Sequence, residues 1–351
     1  MTANFIDRIG VDRPCFVIAE AGVNHNGDLA LAHRLIDQAR TAGADAVKFQ
    51  AFVTEELVTA GAAKAGYQQE TTGSGGQFAM LKALELSADQ QAELKSHCET
   101  IGILYLCTPY DGPSIDLLDR IGVAAYKVAS TDLDNLPFLR ALATKGRPVM
   151  LSTGMATLGE IEASVAALTE GPVCPWLALL QCTSEYPAPM VDCNLRVIET
   201  LRRAFGRPVG FSDHTEGVGA SPLAVAMGAC LIEKHFTLDR ALPGPDHRAS
   251  LDPAGFAGLV QAVRLAEAAL GNGVKKPEPS EIANKPRMRK SLVARHAIAA
   301  GSVLTAADLT CKRPGDGLPP LWFDRAVGRR TTCALEPDQQ IALNTIEWAI
   351  P

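Results

Sequence analysis

Short apolar runs alternate along this chain with longer stretches whose apolar residues recur every three or four positions. Eight runs read as strands: Phe16–Ala19, Ala46–Gln50, Ile103–Cys107, Ala124–Ala129, Pro148–Leu151, Leu177–Gln181, Val209–Asp213 and Cys230–Lys234. The helices between them carry their own start and stop signals. Ser87-Ala88-Asp89-Gln90 is a capping box that predicts a helix to about Thr100, closed near Gly102. Asp252 followed by Pro253 opens another, whose stripe of Phe256, Leu259, Val260, Val263 and Leu270 runs to Gly271. Eight strands alternating with helices over roughly 250 residues predict an α/β fold, a (β/α)8 TIM barrel with its active site at the C-terminal strand ends. A doubly wound open sheet would show the same alternation, but no G-x-G-x-x-G follows the first strand. The stretch from Ala51 to Leu86 is long for a connection, and its glycine-rich tip at 71–76 marks it as a lid or binding loop.

After Gly273 the pattern changes to a charged, proline-bearing stretch, then to short strands and turns from about Arg289. The expected organisation is a barrel over 1–275, a linker over 276–288 and a small domain over 289–351. About 60 residues make a marginal core alone, so the small domain is expected to dock on something.

A net charge of −6 with no basic block argues against nucleic-acid binding, so an anionic ligand must be met by a few local cations. The start MTANFIDRIGVDRP lacks the features of a secretory signal. No apolar run approaches the roughly 18–20 residues of a membrane helix, and a cytoplasmic location is expected. Nine scattered cysteines without a CxxC read as reduced core residues.

Candidate chemistry sits at the ends of the strands. Two runs finish on His214 and His235, which on neighbouring barrel strands would share one mouth and suit Mn, Fe, Co or Zn with open positions. Asp213 and Glu233 stand beside them as possible supporting carboxylates or ligands. Lys48 and Lys127 lie inside apolar strands, where a charge is costly without a partner. With Ser130, Ser152 and Ser212 they suit a phosphate or carboxylate; the alternative is that each lysine snorkels or pairs with an acid such as Glu20. Glu20 itself is either a general base or water-orienting group, or the partner of Lys48.

Seven stretches together resemble the sialic acid synthase family, in its order and across nearly the whole chain. They are "IAEAGVNHNGDLALAHRLIDQARTAGADAVKFQ", "YKVAS", "LSTGM", "CTSEYPAP", "GFSDHT", "EKHFTLDRALPGPDHRASLDP" and "KRPGDGLPP". The segment from Arg289 resembles the family's antifreeze-like (SAF) domain. The resemblance implies condensation of phosphoenolpyruvate (PEP) with an N-acetylated hexosamine aldehyde, giving a nine-carbon 2-keto-3-deoxy acid and phosphate. It implies a divalent metal on His214 and His235, typically Mn2+, with Mg2+ or Co2+ as alternatives. By the same resemblance Lys48, Lys127, Ser130, Ser152 and Ser212 hold PEP, and Glu20 acts at the reacting carbon. Gln50, Asp132, Tyr186 and Asp246 become sugar contacts. Arg313 matches an arginine that reaches the acetamido group from the other subunit of a domain-swapped homodimer. Two departures lie near the sugar: Ser130-Thr131-Asp132 stands where bacterial N-acetylneuraminate synthases often carry "SGE", and Ser184 where they often carry asparagine. The acceptor expected first is N-acetylmannosamine, with the legionaminate precursor as the alternative and the pseudaminate precursor behind both. Another PEP condensation on the same barrel and a non-catalytic binding protein are the rival classes.

Overall fold

The computed structural model describes residues 5–10, 12–170 and 174–348. Its first compact unit runs to Gly271 and its second begins at Asn272. The first is a closed barrel of eight strands, each hydrogen-bonded to the next in chain order. They are β1 (Phe16–Gly22), β2 (Ala46–Ala51), β3 (Leu104–Pro109), β4 (Tyr126–Val128), β5 (Val149–Ser152), β6 (Leu177–Cys182), β7 (Val209–Asp213) and β8 (Leu231–His235). All pairings are parallel, and β1 closes the ring on β8 with Glu20 opposite His235. The open-sheet alternative is thereby excluded. Each expected strand is present, though β4 is shorter than the run Ala124–Ala129 from which it was read.

A period of two sorts every strand into an inward and an outward face. Outward residues such as Val17, Val47, Phe49, Leu179 and Phe211 belong to the large core between barrel and helices. Inward residues such as Phe16, Ile18, Leu106, Met150, Leu180 and Leu231 fill the barrel's lower interior. Phe5 stops the lower end, its ring edge-on to Phe16 at 5.6 Å and to Trp176 at 5.7 Å. Above those apolar layers the inward positions turn polar, so the chemistry sits on a packed floor.

The helix signals resolve as local geometry. Ser87 Oγ accepts from Gln90 N at 3.3 Å while Ser87 N donates to Gln90 Oε1 at 2.8 Å, opening the helix Ala88–Ile101. Asp252 caps Pro253–Leu270, its side chain accepting from Gly255 N at 2.7 Å. Among the described residues, no helix is long and apolar enough to cross a membrane. All nine cysteines are free. The long connection after β2 folds into three short helices, Thr54–Leu57, Gly66–Thr72 and Gln77–Lys82.

The second unit is built on a two-stranded antiparallel sheet, β9 (Ser291–Ala294) with β10 (Leu309–Lys312). Its own core includes Leu292, Ile298, Leu304, Leu318, Ile341 and Ile346. The expected linker holds two single-turn helices, Pro279–Ile282 and Lys285–Met288.

Two buried histidines tie the barrel's stability to pH. His25 Nδ1 accepts from Gly27 N at 3.0 Å, which requires an unprotonated nitrogen. His247 lies between Thr237 Oγ1 at 2.7 Å and Asn26 Oδ1 at 3.2 Å. Burial pushes both imidazoles down from 6.5 to about 4. Because the folded value is the lower one, their stabilisation is present above pH 6.5 and is lost as pH falls toward 4. Between pH 7 and 5 the loss is on the order of 2 kcal/mol per imidazole. Thermal melts across that range should show the midpoint falling steadily; a flat midpoint would mean that neither ring resists protonation.

Candidate active site

Inward-facing strand ends and the loops above them enclose a cavity of about 430 Å³. Glu20, Lys48, Gln50, Lys127, Ser130, Ser152, Ser212, His214, His235, Tyr186 and Asp246 all line it. Eleven of the thirteen candidates thus meet in one place. Asp132 is not in the lining: its carboxylate accepts from Asn135 Nδ2 and Thr131 Oγ1, each at 3.3 Å. Arg313 belongs to the second unit, where its Nε donates to Met288 O at 3.0 Å.

Register explains the clustering. Glu20 stands opposite Lys48 on one side and His235 on the other, and Glu233 stands opposite Ser212. Lys48 Nζ lies 2.5 Å from Glu20 Oε2 and donates to Thr108 Oγ1 at 2.9 Å. Glu20 therefore pairs with Lys48 and also faces the cavity. Glu233 is the hub of the cluster. Its Oε1 accepts from Ser212 Oγ at 3.2 Å and lies 3.4 Å from Lys127 Nζ and 3.8 Å from Lys48 Nζ.

The two carboxyls differ in charge because their neighbours differ. Burial raises Glu20 to about 7 against the pull of Lys48, and the negative charge of Glu233 pushes the same way. Burial would raise Glu233 too, but Lys127 and Lys48 together hold it well below the usual carboxylate range. Of the two carboxyls, Glu20 therefore binds a proton the more readily, and Glu233 carries the firmer negative charge.

Hydroxyls complete that end of the cavity. Ser152 Oγ is buried without a partner. Ser130 Oγ accepts from Gly154 N at 3.0 Å, leaving its own proton free for a ligand. A Cβ on Gly154 would stand 2.3 Å from Ser184 Oγ and 2.8 Å from Ser130 Oγ, so a larger residue there would displace both hydroxyls.

The other end is aromatic. The rings of His214 and His235 are 5.5 Å apart, and Tyr186 lies 4.2 Å from the first and 5.6 Å from the second. Tyr67, from the segment after β2, stacks obliquely on Tyr186 at 5.2 Å. His214 Nδ1 donates to Thr183 O at 2.8 Å, which fixes the tautomer and leaves Nε2 with a free lone pair. His235 Nδ1 is buried with no partner, and burial holds that imidazole neutral well below its usual range. Two imidazoles side by side on adjacent strands, one of them held neutral, fit a divalent transition metal. No set of three or more His, Cys, Asp or Glu side chains has ligand spacing among the described residues. Asp213, considered as a supporting group, faces outward. It pairs with Lys234 Nζ at 3.1 Å and accepts from Thr215 N and Ser221 Oγ.

Sequence reasoning left Thr108 and Gly154 out and gave Glu233 no partners. The segment after β2 supplies Leu57, Val58, Tyr67, Met80 and Leu81 to the cavity lining, so it forms part of the wall.

Comparison with known proteins finds relatives along nearly the whole chain. The chain matches the NeuB family over residues 35–275 and the SAF domain over 289–347. It is 42% identical to N,N'-diacetyllegionaminic acid synthase of Legionella pneumophila, covering 98% of each chain. With the Campylobacter jejuni protein of the same name it shares 43% identity over 93% of this chain and 98% of the other. The crystal structure of N-acetylneuraminic acid synthetase from Leptospira borgpetersenii superposes with a TM-score of 0.71 at 39% identity, covering 79% of this chain and 92% of that one. By fold, by sequence and by domain order, the chain belongs to the NeuB family of sialic acid synthases.

Proposed function

We propose that this protein condenses PEP with an N-acetylated, manno-configured sugar to give a nine-carbon 2-keto-3-deoxy acid and phosphate. The observation that carries this reading is one cavity in which two lysines and unpartnered hydroxyls stand beside two imidazoles. Lys48, Lys127, Ser130, Ser152 and Ser212 take the phosphate and carboxylate of PEP, with Thr108 and Glu233 holding the lysines in place. His214 and His235 hold a divalent ion, Mn2+ in this reading with Mg2+ or Co2+ as alternatives. When bound, it supplies Lewis acidity toward the acceptor's aldehyde oxygen.

The methylene carbon of PEP forms a bond to the aldehyde carbon, and positive charge develops at the carbon bearing phosphate. Water adds there, and the C–O bond to phosphate breaks to leave the ketone. Glu20 is poised for this step, because a carboxyl near 7 can take the proton from water and the ionised form steadies the cation. Gln50 Nε2 donates to Glu20 Oε1 at 3.2 Å and fixes its orientation. Tyr186 and Asp246 meet the sugar, and Asp132 stands behind the lining as a further candidate on that side. In the same reading the protein is a cytoplasmic, domain-swapped homodimer, and Arg313 of the partner subunit reaches the acetamido group. Its working domains are the barrel over 1–275 and the SAF domain over 289–351, joined by 276–288.

The acceptor we assign is 2,4-diacetamido-2,4,6-trideoxymannose, the legionaminate precursor, in place of the N-acetylmannosamine expected first. Two relatives named for that product support the change. So does the wall above β1–β3, where Val23, Phe52, Leu57, Val58, Leu81 and Leu84 face the cavity. A sugar with two acetamido methyls and a 6-methyl covers such a wall, whereas a 6-hydroxyl would lose its water there without a partner. Measured kcat/KM should favour the diacetamido sugar over N-acetylmannosamine by about 10- to 100-fold, with the altrose-configured pseudaminate precursor last. Preference for N-acetylmannosamine would return the assignment to a neuraminate synthase.

A further inference from the structure

The turn after β1, Asn24-His25-Asn26-Gly27, has no part in the chemistry described so far, yet it is bonded along the whole loop that follows β8. That loop leaves the barrel at Phe236, returns at Leu251, where the two residues pair, and carries Asp246 between them. Asn24 is buried, and its Nδ2 donates to both Phe236 O and Ser250 Oγ, each at 2.9 Å. Ser250 Oγ in turn donates to Asp246 O at 2.7 Å. Farther along, Asn26 Nδ2 donates to Pro243 O at 2.8 Å, and Asn26 Oδ1 lies 3.2 Å from His247 Nε2. The fit is close enough that a Cβ on Gly244 would stand 2.7 Å from Asn26 Oδ1. The loop is therefore held at its exit, its middle and its return, and the bond nearest the cavity ends on the backbone of Asp246.

We propose that Asn24 and Ser250 are positioning residues that set affinity for the acceptor sugar by fixing Asp246 at the cavity wall. This rests on the reading of Asp246 as an acceptor contact. Neither residue lines the cavity, and neither bonds to Lys48, Lys127 or the serines that meet PEP. Loosening the link shifts one carboxylate and leaves the anion site alone. Such a displacement is costly in proportion to how strictly the contact is oriented.

The test uses the full-length protein loaded with Mn2+ and the diacetamido acceptor. Ser250→Ala removes only the hydroxyl between Asn24 and Asp246, and Ser250→Thr restores it. Ser250→Ala and Asn24→Ala should each raise the KM for the acceptor about tenfold or more, with the KM for PEP within about twofold of the native value. Ser250→Thr should recover most of the loss. In an Asp246→Ala background, Ser250→Ala should add less than about twofold, because the contact it positions is gone. Should Asn24→Ala fail to fold, the Ser250 pair carries the test unaided. A rise in both KM values together, a fall in kcat alone, or a full additive effect on top of Asp246→Ala would overturn the proposal. If Asp246→Ala leaves the acceptor KM unchanged, the assignment of Asp246 falls and the proposal with it. If Asp246→Ala raises that KM and Ser250→Ala does not, only the proposal falls.

Discussion

With His235 replaced by alanine, kcat/KM falls by about a thousandfold, the equivalent of about 4 kcal/mol of lost transition-state stabilisation. The size follows from what the residue is asked to do. His214 and His235 are the two imidazoles that face each other in the cavity, and no third protein ligand converges with them among the described residues. In the proposed function these two hold the metal, so losing one would halve the protein's share of the coordination. His214→Ala should act similarly, and chelation of the native enzyme should abolish turnover, with Mn2+ restoring it. Stability should barely change, because His235 Nδ1 is a buried atom without a partner and its removal breaks no hydrogen bond. Free Mn2+ measured by its electron paramagnetic resonance signal would report the lost binding directly. Full activity of His235→Ala at the native Mn2+ concentration would contradict the role given to this pair.

Glu233→Gln should have the largest effect on stability. The glutamate sits between two lysines, and for Lys127 it is the salt-bridge partner. Lys48 keeps Glu20 and Thr108 after the change, whereas Lys127 is left buried and uncompensated. Breaking a buried pair from one side costs on the order of 3–5 kcal/mol. A sharper consequence concerns ligands. With that negative charge removed, the anion site is more positive, so PEP or inorganic phosphate should raise the melting temperature of Glu233→Gln more than that of the native protein. Equal shifts in the two proteins would show that Glu233 does not oppose the bound anion.

The contrast between Glu233 and Asp213 shows what was legible in the sequence. The barrel was readable because each strand is a short apolar run bounded by polar residues, and a chain of eight such units has few ways to close. The histidines were readable because both end a strand. Their neighbours were not separable by type, since an acid stands one or two residues before each histidine. A period of two decides between them once the strand is oriented: Ser212 and His214 point inward and Asp213 outward, while Glu233 and His235 point inward and Lys234 outward. Asp213 and Lys234 then pair on the helix side, and Glu233 becomes the hub of the cavity. Partners distant in sequence were beyond reach. Thr108 meets Lys48 across 60 residues, and Gly154 packs against two hydroxyls 24 and 30 positions away, Ser130 and Ser184. Asp132 shows the limit of a motif position: local bonds to Thr131 and Asn135 hold its carboxylate outside the lining.

The central claim is that PEP and an aldehyde acceptor react here with loss of phosphate by C–O cleavage. It is tested most directly by supplying PEP labelled with oxygen-18 at the bridging position, together with Mn2+ and the diacetamido acceptor. Phosphate should appear only when the acceptor is present, one per molecule of nine-carbon acid, and should carry the label. Label retained in the keto acid, or phosphate released at the same rate without acceptor, would contradict the account.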